Sequence, residues 1–408
     1  MKRLRFLFFA LVVAVCAEAQ PHWVATWGAS PSPLLANARE MAAAKLEFSN
    51  QTLREIVHVS LGGATVRVRL SNAYGREGAE VGSAHIALRA AGAAIVPASD
   101  RVLTFGGRSS AVIPADAELL SDPVSLNVPA GSDVAISLYL PHRINGAGVH
   151  YSAEQTSYVG AGDVTGRETI PDAATFPSWA FLTEVDVMAP REAFAIAAFG
   201  DSITDGAHSG VDTNTRWPDF LAGRLLAAHR EIGVLNAGIG GNRLLHDGTS
   251  VRFGVNALAR FDRDVVGASG VKYVIVLEGI NDIGHPGSSA PESERVTAQD
   301  LIGAYRQLIA RGHDHGMRVI GATLTPFAVT TLKNYFSPAK EAVRKAANEW
   351  IRTSNAFDGV IDFERAVRDP GDPERMVEGF DSGDHLHPKA AGYRAMGDSI
   401  DLGLFGKP

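Results

Sequence analysis

The 408-residue sequence has little of what marks several large classes of protein. Its single cysteine, Cys16, excludes a disulfide framework and a multi-cysteine metal site. Its 38 basic residues are outnumbered by 45 acidic ones, which argues against nucleic acid and anionic membranes as partners. It has no internal repeat, and no run approaches the roughly 18 apolar residues of a transmembrane helix. With 46% hydrophobic and 20% charged residues, it has a globular composition, and its length predicts two or three domains.

The first twenty residues have the pattern of a targeting segment. Three basic residues precede an apolar run over residues 6–16 that is too short to span a bilayer, and residues 17–19 form an Ala-Glu-Ala cleavage site. We therefore expect residues 1–19 to be a secretory signal peptide. The mature protein would then be secreted or periplasmic, with a formal charge of −9 instead of −7 and no cysteine. An uncleaved N-terminal anchor and a lipoprotein modified at Cys16 are the alternatives.

Residues 20–190 have the alternation and the turn residues of an all-β domain. In residues 65–70, Val66, Val68 and Leu70 share one face, and two arginines share the other. An earlier apolar run ends at Val59, and a Leu-Gly-Gly turn separates it from this segment, which predicts a hairpin. Further short strands are separated by Gly, Pro, Asn or Asp. The pattern predicts a jelly-roll-like β-sandwich that folds as a separate accessory domain.

From residue 191 onward, apolar strands alternate with helices. The predicted strands are 193–199, 233–235, 272–277, 318–324 and 359–362, and the predicted helices are 217–229, 256–266, 298–311, 339–352 and 387–402. Near-continuous apolar strands between helices are typical of a parallel sheet covered on both faces. Residues 191–408 are therefore predicted to form an α/β domain with three layers.

Two predicted strands are followed by segments suited to acyl transfer. Ser202, in Gly-Asp-Ser-Ile-Thr, follows the first strand, where a serine can expose its hydroxyl and use its own N–H as an oxyanion donor. The glycine-rich segment, residues 236–242 (NAGIGGN), follows the second strand and lets the backbone approach a ligand. A helix N-cap and a simple turn or phosphate loop are the respective alternatives.

Two further segments supply an amide, an imidazole and a carboxylate. Asn281 follows the third strand, where its amide can stabilise an oxyanion or form an Asx-turn. His387 can take a proton from serine near neutral pH, and Asp384, three residues earlier, can orient it. The rival interpretation is a metal cluster of Asp384, His385 and His387, but no second motif such as H-E-x-x-H supports it.

Together, GDSIT, NAGIGGN, GIND and DHLHP resemble the four blocks of the SGNH, or GDSL, hydrolases, which supply Ser, Gly, Asn and His in this order. The resemblance covers about residues 195–402. It implies a flavodoxin-like SGNH domain that hydrolyses carboxylic esters without a metal or organic cofactor. It also implies these roles: Ser202 as nucleophile, His387 as base with His385 as the alternative, Asp384 as its partner, and an oxyanion hole of Ser202, Gly241 and Asn281, with Gly238 and Gly240 as alternative donors.

The expected function is that of a secreted serine esterase. Some family members that act on carbohydrates carry a β-sandwich beside the catalytic domain, so the resemblance suggests removal of acetyl groups from a carbohydrate ester. One alternative is a carboxylesterase or lysophospholipase with broad specificity for short acyl chains. The other is a non-catalytic carbohydrate-binding surface protein, against which the intact Ser202, Asn281 and His387 argue.

Overall fold

The computed structural model describes residues 21–35, 40–41 and 44–406. The expected signal peptide, residues 1–19, lies outside the described residues. Among the helices of the described part, none is both long and apolar enough to cross a membrane.

The described part of the N-terminal half, residues 21–190, consists mainly of strands and turns, as the alternation predicts. Its strands are β1 (His22–Gly28), β2 (Glu47–Phe48), β3 (Gln51–Val59), β4 (Gly63–Ser71), β5 (Ala79–Val81), β6 (Ser83–Ala91), β7 (Ala94–Ile95), β8 (Arg101–Val102), β9 (Ala111–Ile113), β10 (Glu118–Leu120), β11 (Val124–Val128), β12 (Ser132–Leu140), β13 (Ile144–Asn145), β14 (Ser157–Ala161), β15 (Ala174–Phe176) and β16 (Leu182–Ala189).

Most of these strands belong to two antiparallel sheets. One has the order β1-β16-β4-β10, with β11 also paired to β4; the other has the order β15-β14-β3-β12-β6-β7, with β8 paired to β6. Val66 and Val68 of β4 are fully buried in the same apolar cluster as Ile136 and Leu138 of β12. Both sheets therefore contribute apolar side chains to a common core.

The predicted hairpin of β3 and β4 is wrong. β3 pairs with β12 and β14, whereas β4 pairs with β16, β10 and β11 in the other sheet. The turn between them crosses from sheet to sheet, and Thr26 of β1 holds it by hydrogen bonds with the backbone of Leu61. Alternation reports which face of a strand is buried, and that face can be buried across a core as well as beside a paired strand.

The C-terminal half, residues 191–406, alternates strands and helices as predicted. Its strands are β17 (Phe194–Gly200), β18 (Ile232–Gly238), β19 (Val271–Leu277), β20 (Arg318–Ala322) and β21 (Gly359–Ile361). Its α-helices are α1 (Ser202–Asp205), α2 (Trp217–Ala227), α3 (Ala257–Phe261), α4 (Ile280–Gly284), α5 (Ala298–Asp314), α6 (Pro338–Thr353), α7 (Phe363–Val367) and α8 (Ala390–Ser399). The strands pair in parallel in the order β18-β17-β19-β20-β21.

Two predicted helices differ from the structure. The helix predicted over 256–266 is α3 followed by a π-helical turn, Asp262–Val266. The helix predicted from residue 387 begins only at Ala390. One carboxylate oxygen of Asp384 accepts the N–H groups of Leu386 and His387, and Pro388 disfavours helical backbone in the residue before it. His387 therefore lies in a loop at the edge of the sheet.

The two halves share buried surface, so the expectation of a separately folding accessory domain over residues 20–190 stays a prediction for experiment. Val24, Ala25 and Leu61 belong to the apolar core of the C-terminal half. The second face of β4 also points toward that half, because Arg67 Nη2 donates to Ser269 Oγ over 3.1 Å. Packing against the α/β domain thus buries one face of the β1-β16-β4 sheet.

Candidate active site

Ser202 lies where β17, an inner strand of the parallel sheet, gives way to a short helix. β17 ends at Gly200, and Asp201 caps α1 by accepting the Ile203 N–H at its Oδ1 over 2.9 Å. Ser202 therefore occupies the first helical position, where a backbone N–H has no partner within the helix. No described residue accepts the Ser202 N–H. Its hydroxyl and its N–H are thus both presented at the carboxyl edge of the sheet.

The structure brings Ser202, His387 and Asp384 into one hydrogen-bonded chain. Ser202 Oγ lies 2.8 Å from His387 Nε2, and His387 Nδ1 lies 2.6 Å from Asp384 Oδ2. Burial opposes ionisation of Asp384, but its hydrogen bonds with His387 and the charge of that ring hold the pKa of Asp384 well below its usual range. A charged Asp384 keeps the proton on Nδ1 and leaves Nε2 to accept the serine proton.

His385, the alternative base, is directed elsewhere. Its Nδ1 lies 2.6 Å from Asp381 Oδ2, and its side chain is nearly half exposed. The set with metal-ligand spacing among the described residues includes His208 instead of His385: His208, Asp384 and His387 offer ligand atoms within 4.8 Å of one another. Both ring nitrogens of His387 already contact Asp384 and Ser202, so a metal ion would compete with those contacts.

The three candidate glycines differ in what their N–H groups contact. Gly238 donates to Asn236 Oδ1 and Gly240 donates to Asp205 Oδ2, each over 2.9 Å. No described residue accepts the Gly241 N–H. Gly241 also has a φ of +74°, and a Cβ built on it would lie 2.4 Å from the ring of Phe253. The backbone conformation and the packing at this position therefore both favour glycine.

Asn281 lies at the start of α4 with its amide fixed on both sides. Its Nδ2 donates to the carbonyl of Asn242 over 2.8 Å, and its Oδ1 accepts the hydroxyl of Tyr335 over 2.6 Å. The side chain is buried, and one hydrogen of Nδ2 has no acceptor among the described residues. Tyr335, 54 residues further along the chain, was not predicted, and nothing in its local sequence indicates this contact.

A buried arginine ties the strand ends together from behind. Arg260 of α3 donates to the carbonyls of Gly200 and Ala237 over 2.9 and 2.8 Å, and to Asn242 Oδ1 over 2.8 Å. Burial above all raises the pKa of the neighbouring Asp201 to about 7. Arg260 was not predicted as a site residue, because its position in a predicted helix gives no sign of its partners.

The comparisons with known proteins point to one family. Residues 198–395 match the model of the GDSL-like Lipase/Acylhydrolase family. No curated protein matches the sequence.

Several solved structures are similar to about half of the chain. A lipase/acylhydrolase from Enterococcus faecalis is 21% identical, with 51% of this chain and 93% of that chain covered and a TM-score of 0.38. An aryl esterase from M. smegmatis is 18% identical, with 50% and 95% covered and a TM-score of 0.38. A GDSL-like lipase from Bacteroides thetaiotaomicron is 15% identical, with 52% and 87% covered and a TM-score of 0.36. Residues 198–395 therefore form a domain of the GDSL-like lipase/acylhydrolase family, and the protein is an ester hydrolase.

Proposed function

We propose that this ester hydrolase works through an acyl-enzyme on Ser202. The observation that carries the proposal is the 2.8 Å contact between Ser202 Oγ and His387 Nε2, with Asp384 bound to the other ring nitrogen. His387 takes the hydroxyl proton as Ser202 Oγ attacks the ester carbonyl. Asp384 stabilises the imidazolium that forms.

The tetrahedral oxyanion is stabilised by three donors: the N–H groups of Ser202 and Gly241 and the amide of Asn281. All three have hydrogens without an acceptor among the described residues, which supports this role. His387 then protonates the leaving alcohol, and the C–O bond breaks to leave the acyl group on Ser202. Water gives a proton to the same histidine as it attacks the acyl carbon. The bond from that carbon to Ser202 Oγ then breaks, His387 returns the proton to Oγ, and the acid is released. Each donor of this kind typically contributes about 2.7–4 kcal/mol.

We further propose that the substrates are short acyl esters, chiefly acetyl esters of carbohydrates. A cleft of about 490 Å³ lies between the halves, and most of its lining side chains are polar, among them Gln155, Thr156 and Arg252. Tyr151 and Arg252 also line a smaller cleft that reaches Gly240. Hydroxyl, amide and guanidinium groups around an aromatic ring suit an ester whose alcohol part is a sugar. The N-terminal pattern over residues 1–19 supports export, which would bring the enzyme to extracellular polymers.

One observation favours the alternative, a broad carboxylesterase or lysophospholipase. Thr331 donates its N–H to the carbonyl of Asp384 over 3.0 Å, and its neighbours Val329 and Leu332 are both 44% exposed. These side chains place apolar surface in a loop beside the triad, where an acyl chain could lie.

A panel of esters would separate the two. We expect p-nitrophenyl acetate and butyrate to be turned over faster than esters beyond about six carbons, and acetylated oligosaccharides to be deacetylated. Each methylene added to the acyl chain favours hydrolysis only where the enzyme buries it against apolar surface, which contributes about 0.8 kcal/mol. A clear preference for dodecanoyl esters would establish the lipid-directed alternative instead.

The nucleophile and base are tested by three variants. Ser202→Ala should reduce turnover by well over tenfold without unfolding the protein, and an organophosphate should label Ser202 alone. Turnover by His387→Ala should fall about as far as that of Ser202→Ala, because the members of a triad act as a unit. His385→Ala is the matched control and should stay near wild type. Residual activity above about a tenth in Ser202→Ala would contradict the acyl-enzyme mechanism.

A further inference from the structure

A histidine of the N-terminal half lies buried next to the site. His150 is 4% exposed; its Nδ1 lies 3.0 Å from the carbonyl oxygen of Ser30, and its Nε2 lies 2.9 Å from Asp205 Oδ1. A carbonyl oxygen and a carboxylate oxygen can only accept, so both ring nitrogens donate and the ring is an imidazolium. Burial opposes this charge, but Asp205 and the Ser30 carbonyl outweigh burial and raise the pKa of His150.

Asp205 connects His150 to the glycine-rich segment, residues 236–242. It is the last residue of α1, three positions after Ser202, and its second carboxylate oxygen accepts the Gly240 N–H over 2.9 Å. The Gly241 N–H lies in one peptide plane with the Gly240 carbonyl, so holding Gly240 in place limits the directions that the Gly241 N–H can take. A continuous series of hydrogen bonds thus runs from Ser30 through His150 and Asp205 to the neighbour of the oxyanion donor.

The neighbouring cation, Arg216, does not take the place of His150 at the Asp205 carboxylate. Arg216 donates to the backbone carbonyl of Asp205 over 3.0 Å and leaves the carboxylate to His150 and Gly240. Without His150, the carboxylate would be a buried charge without a cationic side chain bound to it, and such a charge reorients or takes up a proton. Either change weakens the acceptor that holds Gly240.

A different hydrogen bond between the halves lies away from the site. Ser60 Oγ accepts the Val234 N–H over 2.8 Å, in the body of β18 and away from the strand ends. This contact also joins the halves through a buried polar side chain but involves no charged group, which makes it a suitable comparison for the one at His150.

We propose that His150 is a positioning residue for ester hydrolysis: through Asp205 and Gly240 it fixes the Gly241 N–H in the oxyanion hole, so that the N-terminal half completes the catalytic site. This inference rests on the proposed function, because it presumes that Gly241 stabilises the oxyanion. It assigns the N-terminal half a part in the chemical step in addition to substrate contacts.

The test compares His150→Gln with Ser60→Ala in the full-length enzyme. We expect kcat of His150→Gln on p-nitrophenyl acetate to fall by roughly tenfold or more, since a lost oxyanion donor costs 10²–10³ and a misdirected one somewhat less. KM should stay within about twofold. Affinity for a methyl trifluoromethyl ketone, which forms an oxyanion adduct on Ser202, should fall by the same factor as kcat. Ser60→Ala should lower Tm but leave kcat and ketone affinity unchanged.

Asp205→Asn provides the second measurement and does not depend on the folding of His150→Gln. It should reduce kcat and ketone affinity in the same way. The kcat of the double variant should be no lower than that of the less active single variant, because both changes break the same series of hydrogen bonds. Unchanged kcat and ketone affinity in His150→Gln or in Asp205→Asn would overturn the proposal, as would equal losses in Ser60→Ala. If Ser202→Ala is inactive while these variants are unaffected, only this inference fails; an active Ser202→Ala overturns the proposed function itself.

Discussion

At the scale of single residues, the hydrogen bond from Tyr335 helps to determine how the Asn281 amide is oriented. An amide has similar ends, and only its neighbours determine which of them faces the substrate. The Tyr335 hydroxyl donates to Asn281 Oδ1, and the carbonyl of Asn242 accepts from Nδ2. Together they turn the amide so that its remaining hydrogen is available to an oxyanion.

Replacing that hydroxyl should affect catalysis more than binding. We expect Tyr335→Phe to lower kcat roughly tenfold with KM little changed, because Asn281 would lose the partner that fixes its orientation. Steady-state kinetics on p-nitrophenyl acetate measure both constants. Tyr273→Phe is the matched control: it removes a buried hydroxyl that donates to the carbonyl of Gly406 over 2.7 Å. Equal losses in the two variants would show a general packing effect.

Asp201 predicts a pH dependence of stability. Burial raises its pKa to about 7 in the folded protein, whereas an unfolded aspartate has a pKa near 3.9. Between about pH 4 and 7 the folded state therefore binds more protons at this site, and its stability decreases as the pH rises. Asp201→Asn keeps an acceptor for the Ile203 N–H and removes the charge. Its gain in unfolding free energy over wild type should grow from pH 4 to 7 and then level off.

Denaturant unfolding at several pH values would measure that gain. Asp122→Asn is the control with the opposite sign, because hydrogen bonds from Gly107 and Thr104 lower the pKa of that carboxylate. Its stabilising contribution is present above the unfolded pKa and is lost in acid, so the Asp122 variant should show no gain that grows with pH. A constant difference between Asp201→Asn and wild type would contradict the assigned pKa.

At the scale of elements, what could be predicted depended on whether the signal was local. Strands such as Val271–Leu277 and helices such as Ala298–Asp314 have an apolar pattern of the right length and period. Ser202 and Asn281 could be singled out because each directly follows a strand, and Asp384 and His387 because one turn holds both. The pairing of β3 and β4 could not be predicted, because alternation does not specify the partner strand.

The unpredicted parts of the site are contacts between distant segments. His150 meets Asp205 across 55 residues, and Tyr335 meets Asn281 across 54. Arg260 reaches Gly200 across 60 residues. Each is an ordinary polar residue in its local sequence, and only the tertiary fold brings it to its partner.

The glycine-rich segment allows an element-scale prediction. Gly241→Ala should lower kcat at least tenfold and destabilise the protein, because its φ of +74° is strained for alanine and the new Cβ would meet Phe253 at 2.4 Å. Gly303→Ala in α5 is the control: its Cβ would meet no atom within 4 Å, so it should stabilise by about 0.4–1 kcal/mol and leave kcat unchanged. Thermal unfolding and kinetics measure both. An active, undistorted Gly241→Ala would point to another donor.

At the scale of the whole molecule, the two halves are joined by apolar burial and by polar contacts near the chemistry. Val187 and Ala189 of β16 belong to the core of the C-terminal half, as do Val24 and Ala25 of β1. A chain reduced to residues 191–408 would expose the surface that these side chains cover, and it would lose His150. An accessory module that only extended substrate reach would leave both core and site intact when removed.

We therefore expect residues 191–408 alone to be poorly soluble or inactive, even on p-nitrophenyl acetate, which needs no extended binding cleft. Exposed apolar surface of this size favours association, and the Gly240 segment would lack its support. Co-expression with residues 20–190 as a separate chain should restore turnover, because the buried contacts can re-form between two chains. The full-length Ser202→Ala variant shows the background rate. A soluble C-terminal fragment with wild-type kcat on p-nitrophenyl acetate would instead mean that the N-terminal half contributes nothing to the chemical step.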